Sequence, residues 1–381
     1  MKKVLIFGST GVIGRSTLDV IRRDRNNFKV IGLCVYKNIK LLKEQIDEFE
    51  PEYVCVVERN VGESLQIGKG RKLFLGEEGL REFSSVKADI SVMAISGISS
   101  LNPLLTTIEN AEMVALANKE SLVVGGFLVK EQARKFNTKI IPIDSEISAL
   151  FQLLNLKGRN GLEKVYLTAS GGSLLHWEKK DIERAGVKDV LNHPVWKMGK
   201  RITVDSATLV NKGFEVVETN YFFDLDYRFI DIIIHKECLM HAMIKFKDNI
   251  FFACFYNPDM RIPISFALYY PERRNSIEDF SFFSKPVSLS FSPVDYEKFP
   301  LLKVILEAAK RGGNSLAVVN ACDEVAVDYF LKEKISFYGI FKAVDYIFNL
   351  YEYKEVNSLE EIFFWDKWAR EKTEEYLRKL C

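Results

Sequence analysis

The segment His193–Glu218, HPVWKMGKRITVDSATLVNKGFEVVE, concentrates a histidine, a tryptophan, a methionine, a serine, two threonines, an asparagine, three lysines and three acids. Interleaved with them are Ile202, Val204, Leu209, Val210, Phe214 and Val217, a pattern that predicts a strand running into an amphipathic helix. On a helix over 206–219, Ser206 takes the N-cap position. Asn211 and Lys212 precede Glu215 by four and three residues, so the three side chains share a face and can converge on one ligand. A hydroxyl, an amide, an ammonium and a helix N-terminus suit an oxyanion such as phosphate, whereas the Glu215 carboxylate suits a metal ion. The same residues also describe a solvated helix face with a Lys–Glu pair and a serine cap.

Two further stretches carry chemistry. In ALANKESLV, residues Asn118, Lys119, Glu120 and Ser121 follow a strand expected at Met113–Ala115, which aims Lys119 into the crevice beyond the strand end. In DSEISALFQ, Asp144 and Glu146 flank Ser145. Alternate side chains of an extended or turning backbone face the same way, so both carboxylates can bind one divalent cation. Equally, Asp144 or Ser145 can cap a helix over Ile147–Leu154. With the distant Glu215, three carboxylates make a hard-oxygen ligand set for Mg²⁺ or Mn²⁺ that leaves coordination positions open for a substrate. The histidines, His176, His193, His235 and His241, show no HExxH spacing, and His235 and His241 lie in an apolar segment and read as core.

Elements must position these groups. Lys3–Phe7 is a short apolar run leading to Gly8, Gly11 and Gly14, then to a helical pattern through Leu18, Val20 and Ile21. Strand, glycine turn and helix in that order let the backbone approach a pyrophosphate at a helix N-terminus, although the spacing is GxxGxxG rather than GxGxxG. The second strand, Val30–Tyr36, is followed by Lys37 and Asn38, not by an acid for a ribose 2′-hydroxyl, which favours NADP over NAD. Further strands are predicted at Tyr53–Val57, Lys72–Leu75, Ile90–Ala94 and Lys139–Ile143, giving the βα rhythm of a doubly wound sheet. Strands near Val165–Thr168, Asp231–Ile234 and Ile250–Phe255 suggest an α+β domain whose exposed sheet could pair subunits. A charged connection at Pro293–Pro300 precedes helical patterns at Leu301–Arg311, Ser315–Lys332, Tyr338–Tyr351 and from Leu359 onward, with Phe330, Phe337, Phe341, Tyr346 and Phe348 reading as core. The expected fold is α/β, with an N-terminal Rossmann-like NADP-binding domain (1–150), a central α+β catalytic and dimerisation domain (151–292) and a C-terminal helical domain after a linker (293–381).

At 381 residues and 48% hydrophobic content, the chain can bury more than one core. Its 53 basic and 52 acidic residues nearly cancel, so no general charge argument favours nucleic acid or an acidic membrane surface. Four consecutive apolar residues before Gly8 are too few for a signal-peptide core, and no run reaches a membrane-spanning length, so a cytoplasmic protein is expected. Cys34, Cys55, Cys238, Cys254, Cys322 and Cys381 form no CxxC pair and read as reduced thiols.

GSTGVIG, ANKESLV, DSE, TASGG, HPVWKMG, VDSATLVNKG and DMRIPI, in this order and at these separations, resemble the 1-deoxy-D-xylulose 5-phosphate reductoisomerase family. The likeness runs from Val4 to Pro263 and continues more loosely to NACDEVAV at Asn320–Val327. It implies an NADPH-dependent enzyme of the non-mevalonate isoprenoid pathway, acting as a homodimer on a small phosphorylated sugar. By the same resemblance Asp144, Glu146 and Glu215 take the metal positions for Mg²⁺ or Mn²⁺, with Co²⁺ a further candidate. Lys119 and Ser145 match residues near the substrate's hydroxyl and carbonyl oxygens. Ser170, His193, Ser206, Asn211 and Lys212 match substrate-binding residues, with the serines, Asn211 and Lys212 mostly at the phosphate end. His176–Gly199 would include a mobile lid, in which Trp196 covers the substrate and Met198 lines the pocket. The expected cofactor contacts are Gly8, Thr10, Gly11, Val12, Ile13 and Gly14, with Lys37, Asn38, Asn118, Glu120 and Gly199. The family is thought to rearrange its substrate by retro-aldol cleavage and aldol rejoining before hydride transfer. Three positions depart from its pattern: Val12 stands where Ser is usual, Ile147 where His is usual and Asp323 where Asn is usual. A dehydrogenase of the homoserine or aspartate-semialdehyde type, or a non-enzymatic NADP sensor, shares the glycine turn but does not account for DSE together with NKGFE.

Overall fold

The computed structural model describes residues 1–274, 277, 284 and 286–379. The chain forms two compact units. The first comprises Met1–Ser121, Phe127–Ser148 and a segment that returns at Asp259; the second includes Leu122–Gly126, Ala149–Pro258 and the C-terminal part of the chain.

The first unit is built on a parallel sheet of β1 (Lys2–Phe7), β2 (Phe28–Val35), β3 (Tyr53–Val56), β4 (Lys72–Leu75), β5 (Ala88–Met93), β6 (Ala111–Leu116) and β7 (Lys139–Pro142), in the order β4-β3-β2-β1-β5-β6-β7. The central strands β1, β2 and β5 are almost continuously buried, as strands covered on both faces must be. Strand order reverses at β1, which pairs with β2 on one side and β5 on the other. That reversal opens a crevice at the carboxyl end of β1, where the glycine turn lies. Gly8 there has φ +81°, and a Cβ on it would stand 2.4 Å from the Ala94 carbonyl oxygen. The turn leads into the helix Val12–Arg23, whose N-cap is Gly11 and supplies no side-chain cap. Its first-turn N–H groups are left to an outside acceptor. The buried Ser9 hydroxyl donates to Gln45 Oε1 at 2.7 Å and Gln45 Nε2 donates back to the Ser9 carbonyl at 2.9 Å, which fixes the turn from below.

The returning segment contributes the helix Arg261–Tyr269 to this unit. Arg261 pairs with Asp19 at 3.0 Å, the Tyr269 hydroxyl donates to Asp24 at 2.5 Å, and the Tyr269 ring meets Phe28 edge-on. Burial and the Asp24 carboxylate push the Tyr269 phenol well above its ordinary value.

The second unit holds a mixed sheet of β8 (Leu162–Ala169), β9 (Ile230–Ile234), β10 (Met240–Phe246), β11 (Phe251–Phe255) and β12 (Ser292–Pro293), in the order β11-β10-β8-β9-β12. Four helices follow, at Pro300–Arg311, Ser315–Leu331, Phe337–Leu350 and Leu359–Arg378, matching the expected helical region. Phe330, Phe337 and Phe348 are buried there, but Tyr346 is 48% exposed and stacks on Tyr376 at 4.3 Å between centroids. Among the described residues no helix is long and apolar enough to cross a membrane.

Two local readings are corrected. Ile202 and Val204 lie in a helix, Lys200–Thr208, not a strand: the buried positions Val204, Ala207 and Thr208 recur at helical spacing. Ser206 therefore sits in the last turn of that helix and caps nothing. The helix ends because Leu209 adopts the left-handed conformation, φ 61°, after which a second helix runs from Val210 to Phe223. The cysteines follow the sequence reading: Cys34, Cys55 and Cys322 are buried, and burial pushes the Cys322 thiol up to about 12. Cys381 lies outside the described residues.

Gly14 gives a test of the turn. A Cβ at this position would lie 2.3 Å from the Gly8 carbonyl oxygen and 2.5 Å from Ser9 Cα, backbone atoms that cannot move aside independently. Gly14→Ala is expected to lower the unfolding free energy by about 1–3 kcal/mol, read from urea unfolding of the unliganded protein.

Candidate active site

In the first unit, the candidate residues cluster beyond the carboxyl ends of β1, β6 and β7. Asn118 follows β6 and acts as a clamp. Its Nδ2 donates to the Gly97 carbonyl at 3.1 Å and to Glu120 Oε2 at 2.9 Å, while its Oδ1 accepts from the Ser121 N–H at 2.8 Å. Glu120 Oε1 in turn accepts the Gly97 N–H at 3.2 Å. The loops after β5 and β6 are thereby tied together beside the glycine turn.

The buried Lys119 ammonium pairs with the Asp144 carboxylate. Asp144 immediately precedes the helix Ser145–Lys157, and its carbonyl accepts the Ser148 N–H at 2.8 Å, so it occupies the helix start while its side chain faces Lys119. Ser145 donates its hydroxyl to the Glu146 carboxylate. One short segment after β7 thus presents two carboxylates, each already oriented by a neighbour. Lys37 is exposed after β2, and the Asn38 side chain is engaged as a helix cap, accepting from the Leu41 N–H at 3.3 Å. A separate cleft of about 690 Å³, lined by Lys2, Lys3, Asp89, Lys139 and Tyr270 among others, lies at the amino ends of the strands, opposite to the end where a doubly wound sheet binds its ligand.

In the second unit, the convergence anticipated on one helical face is present. Asn211 Nδ2 donates to Glu215 Oε1 at 2.6 Å, and Lys212 Nζ donates to Glu215 Oε2. Glu215 is 1% exposed and Lys212 3%. The turn after β8 brings Ser170 to His193, with Ser170 Oγ 2.9 Å from His193 Nε2. His193 Nδ1 accepts two backbone N–H groups, from Val195 at 3.1 Å and Trp196 at 2.9 Å. It therefore carries no proton, which leaves Nε2–H to donate to Ser170. Ser170 Oγ also accepts the Gly172 N–H at 3.1 Å, so its own hydroxyl proton is the group available to a ligand. Gly172, with φ +70°, packs its Cα against Ala207, where a Cβ would stand 2.6 Å from the Ala207 Cα. That contact seats the serine turn on the helix that bears the half-buried Ser206. Trp196 lies edge-on to the buried His241, which itself stacks on Tyr256 at 3.8 Å. His235 is likewise buried, with Nδ1 3.0 Å from the Ser290 carbonyl, so both apolar-segment histidines are core residues. His176 is exposed, and Met198 is half-buried.

Several structural contributors were not read from the sequence. Gln45 is one, signalled only by a polar residue on the apolar face made by Leu42 and Ile46. Arg201, Lys298 and Glu324 are others, ordinary charges in sequence whose partners are distant.

A glycine turn at the switch point of a parallel sheet, with a lysine and carboxylates at neighbouring strand ends, defines a dinucleotide-dependent α/β enzyme. The family model described as 1-deoxy-D-xylulose 5-phosphate reductoisomerase matches residues 4–126, and models of that family's C-terminal domains match residues 140–223 and 256–372. A 1-deoxy-D-xylulose 5-phosphate reductoisomerase of Thermodesulfovibrio yellowstonii is 42% identical over 97% of this chain and 98% of its own length. One from Thermoanaerobacter pseudethanolicus is 41% identical over 99% and 100%. The chain belongs to this family. Among solved structures, the enzyme from Zymomonas mobilis in complex with NADPH superposes with a TM-score of 0.92 at 32% identity, covering 99% of both chains. A DOX-P reductoisomerase in complex with NADPH, fosmidomycin and magnesium gives 0.93 at 34% identity, covering 100% of this chain and 99% of its own.

Burial lowers the His193 pKa below its ordinary 6.5, consistent with an imidazole whose Nδ1 is occupied by two donors. An unfolded chain then takes up a proton near pH 6.5 that the folded chain refuses. The His193 contribution is thus fully present above pH 6.5 and declines as pH falls from there toward the lower folded value. The expected result is a His193 imidazole NMR titration with its midpoint below 6.5, identified by its loss in His193→Gln.

Proposed function

We propose that this chain converts 1-deoxy-D-xylulose 5-phosphate to 2-C-methyl-D-erythritol 4-phosphate, using NADPH and a divalent cation, Mg²⁺ or Mn²⁺. The observation that carries this reading is the end-to-end match to relatives of that activity. The dehydrogenase and sensor readings have no comparable support.

The residues suit the two groups. Asp144 and Glu146 of the first unit and Glu215 of the second offer carboxylate oxygens, the donors that Mg²⁺ and Mn²⁺ prefer, and we assign them as the ligands. Each is oriented within its own unit, Asp144 by Lys119, Glu146 by Ser145 and Glu215 by Asn211 and Lys212. When bound, the cation polarises the substrate's carbonyl and hydroxyl oxygens and NADPH supplies the hydride. Lys119, a buried ammonium beside Asp144, is the group of this chain best placed to hold or release a proton at a substrate oxygen. Ser145 orients next to it. Ser170, Ser206, Asn211 and Lys212 bind the phosphate, and His193 sets the Ser170 hydroxyl. Trp196 and Met198 close over the substrate and exclude water from the rearranged aldehyde.

The uncapped first turn after Gly8, Thr10 and Gly11, with Val12, Ile13 and Gly14, takes the NADPH pyrophosphate through backbone N–H groups. Lys37 meets the 2′-phosphate, with Asn38 contributing through its loop, and Asn118, Glu120 and Gly199 complete the cofactor site. Residues 1–150, joined by the segment returning at Asp259, form the cofactor domain. The rest of 151–292 carries the lid, Glu215, the substrate-binding groups and dimerisation, and 293–381 is the linker and helical support. The protein acts in the cytoplasm as a homodimer, and the edge strand β11, with Phe251 48% exposed, favours pairing through the second sheet.

The test is NADPH oxidation by the purified protein with 1-deoxy-D-xylulose 5-phosphate, with and without Mg²⁺ or Mn²⁺. Turnover is expected only with metal. Glu215→Gln and Asp144→Asn should each cut turnover and Mg²⁺ affinity at least as much as loss of an outer-shell partner does, about 10–100-fold. Metal-independent turnover, or tight NADPH binding without any turnover, would overturn the assignment.

A further inference from the structure

We propose that Lys298 and the Arg201–Glu324 pair are the two fixed posts of the lid, so that C-terminal residues position Trp196 and Met198 over the substrate. The inference rests on the assignment of His176–Gly199 as the lid. All the groups involved belong to the second unit.

The first post stands at the amino end of the lid. Lys298 Nζ donates to the Leu175 carbonyl at 2.5 Å and to the Trp177 carbonyl at 2.6 Å, the two residues that flank His176. Burial lowers the Lys298 pKa, while Asp295 and Glu178 act in the opposite sense. One ammonium thus ties two carbonyls of a single turn that lies outside any strand or helix. Charge-assisted bonds of this kind are about twice as strong as neutral ones.

The second post stands two residues past Gly199. Arg201, in the first turn of the helix Lys200–Thr208, donates Nη1 to Glu324 Oε1 and Nη2 to Asn320 Oδ1 at 3.3 Å. Glu324 Oε2 is taken by Arg370, which also grips Asp366 through bonds of 2.7 and 3.0 Å. A single carboxylate therefore joins the helix after the lid to the helices Ser315–Leu331 and Leu359–Arg378. Asp205 at 3.6 Å and the fully buried Asp323 at 3.9 Å also face the Arg201 guanidinium. Pulling Arg201 away would take a cation from a group of buried carboxylates, which costs more than breaking a surface pair.

The span between the posts is tied to other segments by Ser173 Oγ to the Val190 carbonyl at 2.8 Å, by the Ser170–His193 bond and by an exposed Lys179–Glu297 pair at 4.0 Å. The lid is thus a span between two ionic anchors, seated by the buried Ile182, Ala185 and Val190. Its closing motion is confined to residues 178–199, and Ser206, on the anchored helix, stays in place while Trp196 and Met198 move. Lys298 and Arg201 are positioning residues that touch the chemistry only through the lid.

The test uses hydrogen exchange on the full-length, unliganded chain, with no substrate involved. Lys298→Met is expected to raise exchange at 175–182 about tenfold, and Arg201→Lys to raise it at 197–203 by a similar factor. Exchange in 315–331 and 359–378 should hold, with the unfolding midpoint nearly unchanged for Lys298→Met. Lys298→Arg should restore protection. In turnover assays the same variants should raise KM for the phosphorylated substrate about tenfold, and Lys298→Met, whose post is remote from Gly199 in sequence, should leave NADPH affinity unaltered. Unchanged lid exchange in Lys298→Met and Arg201→Lys, or a rise spread evenly through the C-terminal helices, overturns the proposal. Tether-dependent lid protection in a wild-type chain that does not turn over 1-deoxy-D-xylulose 5-phosphate would refute the assigned activity and leave the posts standing.

Discussion

A carboxylate removed from water stays ionised only beside a compensating donor, and Glu215, in the second unit, is almost wholly buried. Lys212 and Asn211 meet that requirement one helical turn away, so the helix must present all three on one face. The left-handed residue Leu209 makes this achievable, because it ends the preceding helix and starts a new one with its own phase. The first unit solves the same problem differently. There Lys119 and Asp144 come from the ends of adjacent parallel strands, so the sheet, not a helix, sets their separation.

Much of this was legible in sequence because it depends on short-range pattern. The run Lys3–Phe7 into Gly8, Gly11 and Gly14 gave a strand and a turn, and the 3- and 4-residue offsets of Lys212 and Asn211 from Glu215 gave the shared face. Where pattern was ambiguous, reading failed. Ile202 and Val204 alternate like a strand, but their environment selects the helical period, and Ser206 moved from cap to last turn accordingly. Strand β10 and the helix Arg261–Tyr269 went unread, because short apolar runs carry no distinguishing period. Ion pairs between residues more than a hundred positions apart, such as Arg201 with Glu324, leave no local trace.

The three departures from the family pattern find different accommodations. Val12 is 38% exposed in the first turn of the glycine-turn helix, where no side chain caps the backbone N–H groups. Ile147 is buried in the helix Ser145–Lys157 and adds to the core beneath Asp144 and Glu146. Asp323 is also buried, and it faces the Arg201 guanidinium at 3.9 Å.

The return of the chain to the first unit at Asp259 has a consequence for how the protein is made. Arg261 and Tyr269 tie to Asp19, Asp24 and Phe28, residues that leave the ribosome more than two hundred positions earlier. During synthesis one flank of the first helix therefore stays uncovered until Leu122–Gly126 and Ala149–Pro258 of the second unit have been translated. The nucleotide-binding unit is the first to be started but is completed only from Asp259 onward, with the C-terminal part of the second unit still to follow, and a nascent chain released before Tyr269 would lack the segment that closes it.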